Sequence, residues 1–148
     1  MQLRTLCKSK IHRATVTHTD VDYIGSIAID ADLLDRVDIL PGEQVAVWNV
    51  TNGERFETYA LPAPRGEGAV IVNGAAAHRC RPGDTVIIVA FVLTDEPIRP
   101  RMILVDGHNR FAGDLEDNRW PAPVAGGRTP GQSPPPLRGA LNRHDGGC

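Results

Sequence analysis

The chain has 148 residues, with 16 Lys and Arg against 18 Asp and Glu and a formal net charge of -2. This length suits one domain whose core folds without disulfide or metal staples, and the balanced charge leaves no basic excess for nucleic acid or an anionic membrane. Cys7, Cys80 and Cys148 are odd in number, far apart and outside CxxC or Cys/His spacing, so a reducing cytoplasm is expected and no metal centre.

The first residues, "MQLRTLCKSKIHRATV", interrupt their apolar positions with Arg, Lys and His before a signal-peptide core could form. "HRATVTHT" alternates as a strand, and in "KSKIHR" the side chains of Lys8, Lys10 and His12 share one strand face, which alone reads as a solvated face. A Gly-Ser pair, Gly25-Ser26, then leads into the alternating strand "SIAID". By itself that dipeptide is an ordinary turn. "DADLLDRVDIL" predicts a short helix with Asp30 or Asp32 as N-cap and Leu33, Leu34 and Val37 turned inward.

"EQVAVWNV" and "RFETYAL" alternate next, the second with Arg55, Glu57 and Tyr59 on one face and Phe56, Thr58 and Ala60 on the other. Arg55 alone reads as a surface charge and Tyr59 as a half-buried packing residue. "VNGAAAHRC" combines Asn73 and Gly74 with Ala75, Ala76 and Ala77. It reads equally as a tight turn or as bare backbone that a ligand can approach. "TVIIVAFVL" reads as a strand buried on both faces, and its apolar run is far short of the roughly 20 residues needed to span a bilayer. Turn chemistry separates these segments at Pro41-Gly42, Asn52-Gly53, Arg65-Gly66, Asn73-Gly74 and Pro82-Gly83.

"LPGEQVAVWNV" and "RPGDTVIIVAF" echo one another, each with a Pro-Gly-acid start and the same strand pattern. Short strands, few helices and this echo predict a mainly β fold, a small closed β-barrel over residues 1–120. From residue 121 onward the chain is rich in Pro and Gly and poor in large apolar residues, which predicts a disordered tail over 121–148.

Together, "KSKIHRATVTHTDVDYIGSIAID", "WNVTNGERFETYA", "VNGAAAH" and "PGDTVIIVAF" resemble the pyruvoyl-dependent aspartate 1-decarboxylase family. The resemblance runs in order from Met1 to about Asn109, and Ile24 stands where many members carry an acidic residue. It implies a six-stranded double-psi β-barrel with one or two short helices. It also implies self-cleavage between Gly25 and Ser26 into chains of residues 1–25 and 26–148, by attack of the Ser26 hydroxyl on the Gly25 carbonyl, ester formation, elimination to dehydroalanine and hydrolysis. Ser26 becomes a covalent pyruvoyl group, the cofactor. Self-cleavage is either spontaneous or assisted by a maturation factor.

The implied reaction turns L-aspartate into β-alanine and CO2 for pantothenate and coenzyme A synthesis, in a homotetramer with sites between subunits. By this resemblance Thr58 hydrogen-bonds the scissile carbonyl, Arg55 and Lys10 hold substrate carboxylates, and Tyr59 donates a proton. Gly74, Ala75 and Ala76 form a backbone wall, and His12 and Asn73 are supporting neighbours. A carbonyl is needed because charge-assisted hydrogen bonds supply about 1.5 to 3 kcal/mol each, whereas enzymatic acceleration demands roughly 8 kcal/mol or more. Two other readings stay open: a barrel that binds a small acidic ligand without chemistry, and a hydrolase with Ser26 or Cys7 as an intact nucleophile.

Overall fold

The computed structural model describes residues 1–115, and the expected tail over 121–148 lies outside the described residues. Runs of β-branched residues between Gly and Pro turns form nine strands: β1 (Arg4–Thr15), β2 (His18–Asp20), β3 (Ser26–Asp30), β4 (Gln44–Asn49), β5 (Arg55–Ala63), β6 (Val70–Asn73), β7 (Thr85–Thr94), β8 (Arg101–Val105) and β9 (Phe111–Asp114). Of the described residues 50% are strand and 11% helix, in two short helices, so the fold is mainly β. The first helix is α1 (Ala31–Val37), capped by Asp30, whose carboxylate accepts from the Asp32 N–H at 2.9 Å. Leu33, Leu34 and Val37 are buried beneath it, as its spacing predicts.

The strands are hydrogen-bonded in the order β2-β6-β3-β5-β4-β7-β1-β8-β9, with β1/β8, β2/β6 and β3/β5 parallel. This differs from the expected closed barrel of six strands: among the described residues nine strands are present and the order has two ends. One reason is that the single strand expected from His12 to Thr19 is broken at Val16 and Thr17. There the Val16 N–H bonds the Asp84 carbonyl at 2.9 Å and the Thr17 N–H bonds the Val70 carbonyl at 2.8 Å, so the chain passes from one neighbour to another. The other is an added hairpin, β8 and β9, held by buried Asn109. Its amide accepts from the Thr15 N–H at 2.7 Å and donates to the Thr15 and Gly68 carbonyls, both at 2.8 Å.

The echo between the two Pro-Gly-acid segments is structural. Their strands, β4 and β7, are antiparallel neighbours, and the turns before them share one bond pattern. The Leu40 N–H donates to the Glu43 carboxylate at 2.8 Å and the Arg81 N–H to the Asp84 carboxylate at 2.9 Å. Gly42 N–H and Gly83 N–H each donate at 2.7 Å, to the Ala60 carbonyl on β5 and to the Val16 carbonyl just past the end of β1. β3 and β6 also pair antiparallel. Two similar halves thus face one another, in keeping with a duplicated strand unit.

Ile11, Ile27, Ile29, Val45, Val47, Val70, Val72, Val86 and Ile88 fill the core between them. Fully burying such a side chain contributes about 1.5–3 kcal/mol. Two expected patterns change on folding. β3 is buried at four of five positions rather than alternating, because its polar ends, Ser26 and Asp30, find internal partners. β7 is buried only as far as Ala90, beyond which Phe91 and Leu93 are exposed.

Candidate active site

Ser26 opens β3 directly opposite Asn73, the last residue of β6, and is wholly buried. Its hydroxyl donates to the Ile24 carbonyl at 3.2 Å and accepts from the Asn73 side-chain amide at 3.3 Å. Both hydrogen-bonding functions of a serine are therefore used. The approach is the reverse of buried: Val21, Tyr23 and Ile24 are exposed. The Gly25-Ser26 bond thus lies where an exposed segment meets a rigid, buried strand.

Against Gly25 lies Gly74, which begins the second helix, a 3-10 segment over Gly74–Arg79. Here the expected tight turn or bare wall is a turn of helix, with Gly74 and Ala77 buried, Ala76 half-buried and Ala75 exposed. Gly74 has φ +70, and a Cβ on it would lie 2.6 Å from Gly25 Cα and 2.9 Å from Gly25 N. Gly25 itself has no positive φ, and a Cβ added there would meet nothing within 4 Å. The packing constraint therefore falls on Gly74 rather than on Gly25.

β5 brings the next residues. Its parallel ladder with β3 begins at Ile27–Ala60, so Ser26 and Tyr59 are the residues immediately before it, and Gly25 and Thr58 the pair before those. Thr58 is half-buried and Tyr59 exposed, at the edge of the same corner as Ser26. Arg55, on the Tyr59 face but four residues away, lies about 13 Å along the strand. Its guanidinium rests 4.4 Å from the ring centroid of Trp48, its cross-strand partner. The role of Trp48 as a platform went unnoticed in the sequence, although the Asn52-Gly53 turn that sets the hairpin register was visible.

Lys10 and His12 are elsewhere. They lie on β1, with Lys10 opposite Val89 and Met102 and His12 opposite Leu104. Asp20 on β2 pairs with Asn73 and so marks the level of Ser26. Lys10 precedes it by ten residues, across the change of neighbours at Val16 and Thr17, and the β1/β7, β7/β4 and β4/β5 pairings put Lys10, Val89, Ala46 and Glu57 in one row. Lys8 is engaged with Glu43 at 3.0 Å and with the Asp38 carbonyl, whereas Lys10 makes no salt bridge among the described residues. The His12 Nδ1 is buried without a partner. Burial, then the positive charges of Lys10 and Arg13, lower the His12 pKa and favour a neutral imidazole.

One chain therefore assembles Gly25, Ser26, Thr58, Tyr59, Asn73 and Gly74 in one corner, while Lys10 and His12 sit on β1 and Arg55 at the start of β5. Burial raises the Cys7 pKa and pushes Cys80 up to about 11, which disfavours the thiolate at both. No three His, Cys, Asp or Glu side chains converge as metal ligands among the described residues. No described helix is long and apolar enough to cross a membrane. A family model described as aspartate decarboxylase matches residues 1–112, an interval that contains every one of these residues.

Proposed function

From a chain that belongs to the aspartate decarboxylase family, and is by that membership a carboxy-lyase acting on aspartate, we propose a reaction carried by a pyruvoyl group made from its own Ser26. The product is β-alanine, destined for pantothenate and coenzyme A synthesis in the cytoplasm. The observation that carries this reading is the buried Ser26 hydroxyl, held by Ile24 and Asn73 beside the Gly25 carbonyl.

In maturation, Ser26 Oγ attacks the Gly25 carbonyl carbon. The amide C–N bond breaks as the ester C–O bond forms, and the freed amine takes the hydroxyl proton. Loss of the Ser26 Cα proton expels Gly25 as a carboxylate and leaves dehydroalanine. Water then displaces its nitrogen as ammonia, leaving the α-keto acyl terminus of the chain 26–148. Thr58, near Gly25 on the adjoining strand, donates to the carbonyl oxygen where negative charge develops. The corner fits the product: Gly74 leaves room beside it, and the Asn73 amide can donate to a carbonyl oxygen as it donates to the hydroxyl.

When formed, the pyruvoyl group supplies the electron-accepting carbonyl that lowers the barrier to losing CO2 from an amino acid. Arg55 holds one aspartate carboxylate through its planar fork and Lys10 supplies a second cationic contact. Tyr59 Oη delivers a proton to the substrate Cα. Backbone of Gly74, Ala75 and Ala76 lines the substrate, with His12 and Asn73 in support.

Assembly completes the site. Lys10 lies in no ladder with Ser26 or Tyr59, and Arg55 lies about 13 Å along β5 from Tyr59; both support a homotetramer with sites between subunits. The barrel reading is supported by treating β1 and β2 as one strand interrupted at Val16 and Thr17. The ladders then run β6-β3-β5-β4-β7-β1/β2 and return to β6, six strands with β8 and β9 appended. On this reading residues 1–120 form the decarboxylase domain and 121–148 an added tail.

Intact-mass spectrometry tests the reading. Two chains, residues 1–25 and 26–148, are expected, the longer one blocked to Edman sequencing. Borohydride with aspartate should inactivate it, and Ser26→Ala should remain one inactive chain. A continuous polypeptide that decarboxylates aspartate at full rate without a reactive carbonyl would overturn it.

A further inference from the structure

We propose that Gly74 is a positioning residue for self-cleavage. Its missing side chain is what allows the exposed segment ending in Gly25 to lie against the β6-helix junction and present the scissile carbonyl to Ser26. This rests on the self-cleavage reading above, and it assigns Gly74 a task in maturation distinct from lining substrate.

Three distances carry it. A Cβ on Gly74 would lie 2.6 Å from Gly25 Cα, 2.9 Å from Gly25 N and 3.3 Å from the Tyr23 carbonyl oxygen. Each atom belongs to the backbone, so no side chain can rotate away to relieve the contact. Ordinary carbon contacts begin near 3.5 Å, so the segment would have to withdraw by about 1 Å. Ser26 cannot follow it. Ser26 is locked into ladders with Asn73 on one side and, through Ile27, with Ala60 on the other. Because the hydroxyl and the carbonyl carbon are joined through Ser26 Cβ, Cα and N, the displacement is taken up by rotation of the Gly25-Ser26 peptide, which turns the carbonyl face away from the hydroxyl that attacks it. Misplacement of reacting groups by 1 Å can cost about 100-fold in rate.

The other well-separated glycines with positive φ give the contrast. Gly53 has φ +78, close to the +70 of Gly74, yet a Cβ there would meet nothing within 4 Å. A requirement for left-handed backbone alone is met by asparagine, which tolerates that region. A requirement for contact with Gly25 is not, because asparagine carries a Cβ.

The test compares Gly74→Asn, Gly74→Ala and Gly53→Asn with the wild-type full chain, following the cleaved fraction over time by intact mass. Folding is checked by near-ultraviolet circular dichroism and thermal unfolding. Both Gly74 variants are expected to fold and to cleave about 100-fold more slowly, while Gly53→Asn cleaves at the wild-type rate. Wild-type cleavage in Gly74→Asn overturns the proposal, since it reduces Gly74 to a backbone requirement. If both Gly74 variants fail to fold on expression, they are refolded at low temperature and their cleavage is followed once the near-ultraviolet signal returns; wild-type cleavage there overturns the proposal, and so does failure to refold, since Gly74 is then required by the fold rather than by cleavage. A wild-type chain that never cleaves sinks the self-cleavage reading itself, a result separate from any difference among the variants.

Discussion

Val47 and Ile88 lie directly opposite each other on β4 and β7, and they are also the residues that coincide when the two Pro-Gly-acid segments are superimposed in sequence. The flanking pairs, Ala46–Val89 and Trp48–Ile87, exchange under the same superposition. A local two-fold axis therefore passes through this pair, and the halves it relates have diverged in what their turns support.

That divergence is measurable at the two turn acids. Asp84 accepts from Arg81 N–H and from the buried Asn49 amide at 2.8 Å, whereas Glu43 accepts from Leu40 N–H and meets Lys8 near the surface. Asp84→Ala leaves one N–H of the buried Asn49 amide without its acceptor, the other going to the Arg79 carbonyl at 3.1 Å, and should cost about 2 kcal/mol. Glu43→Ala should cost about 1 kcal/mol or less. Urea denaturation of the two variants decides it; equal losses would show that the second turn has no added structural role.

Asn73 supplies the donor to Ser26 Oγ at 3.3 Å. Asn73→Ala should fold and slow self-cleavage by about 2- to 10-fold, the worth of one neutral hydrogen bond. An unchanged time course in an intact-mass assay would remove Asn73 from maturation.

Asp30 sets an acid limit on stability. Burial raises its pKa, but the N–H groups of Gly68, Asp32 and Gly66 and the charge of Arg110 outweigh burial and hold it below the ordinary 3.8. The folded value lies below the unfolded one, so its contribution is present above pH 3.8 and is lost as pH falls through the lower folded value. Asp30→Asn should lose about 1–3 kcal/mol at pH 7, and its deficit should shrink on acidification. A deficit independent of pH in denaturant titrations would count against the carboxylate.

Trp48 holds Arg55 by its ring face at 4.4 Å. Exposed contacts of this kind contribute about 0.5–1 kcal/mol. Trp48→Ala should therefore raise KM for L-aspartate by about 2- to 5-fold with kcat nearly unchanged. A fall in kcat at constant KM would place Arg55 in the chemical step instead.

The sequence was most legible where physics is local. Asp30 caps α1 because a carboxylate followed by a helix-forming apolar pattern can satisfy a free N–H within its own turn. The alternation in "EQVAVWNV" and "RFETYAL" gives β4 and the start of β5, since side-chain period follows from the pleat. β6, β8 and β9 were missed: "VIVN" and "RMILV" are short unbroken apolar runs without alternation, and "FAGD" is too short to carry a period.

By itself the sequence determined the residue types and the ordered motifs that identify an aspartate decarboxylase family member, because those are properties of neighbours along one chain. Only the tertiary structure decided that Ser26 faces Asn73, that Gly74 rather than Gly25 carries the packing constraint, and that Lys10 lies on a strand that pairs with neither β3 nor β5. Those relationships depend on strand register, and register is set by pairings between residues distant in sequence.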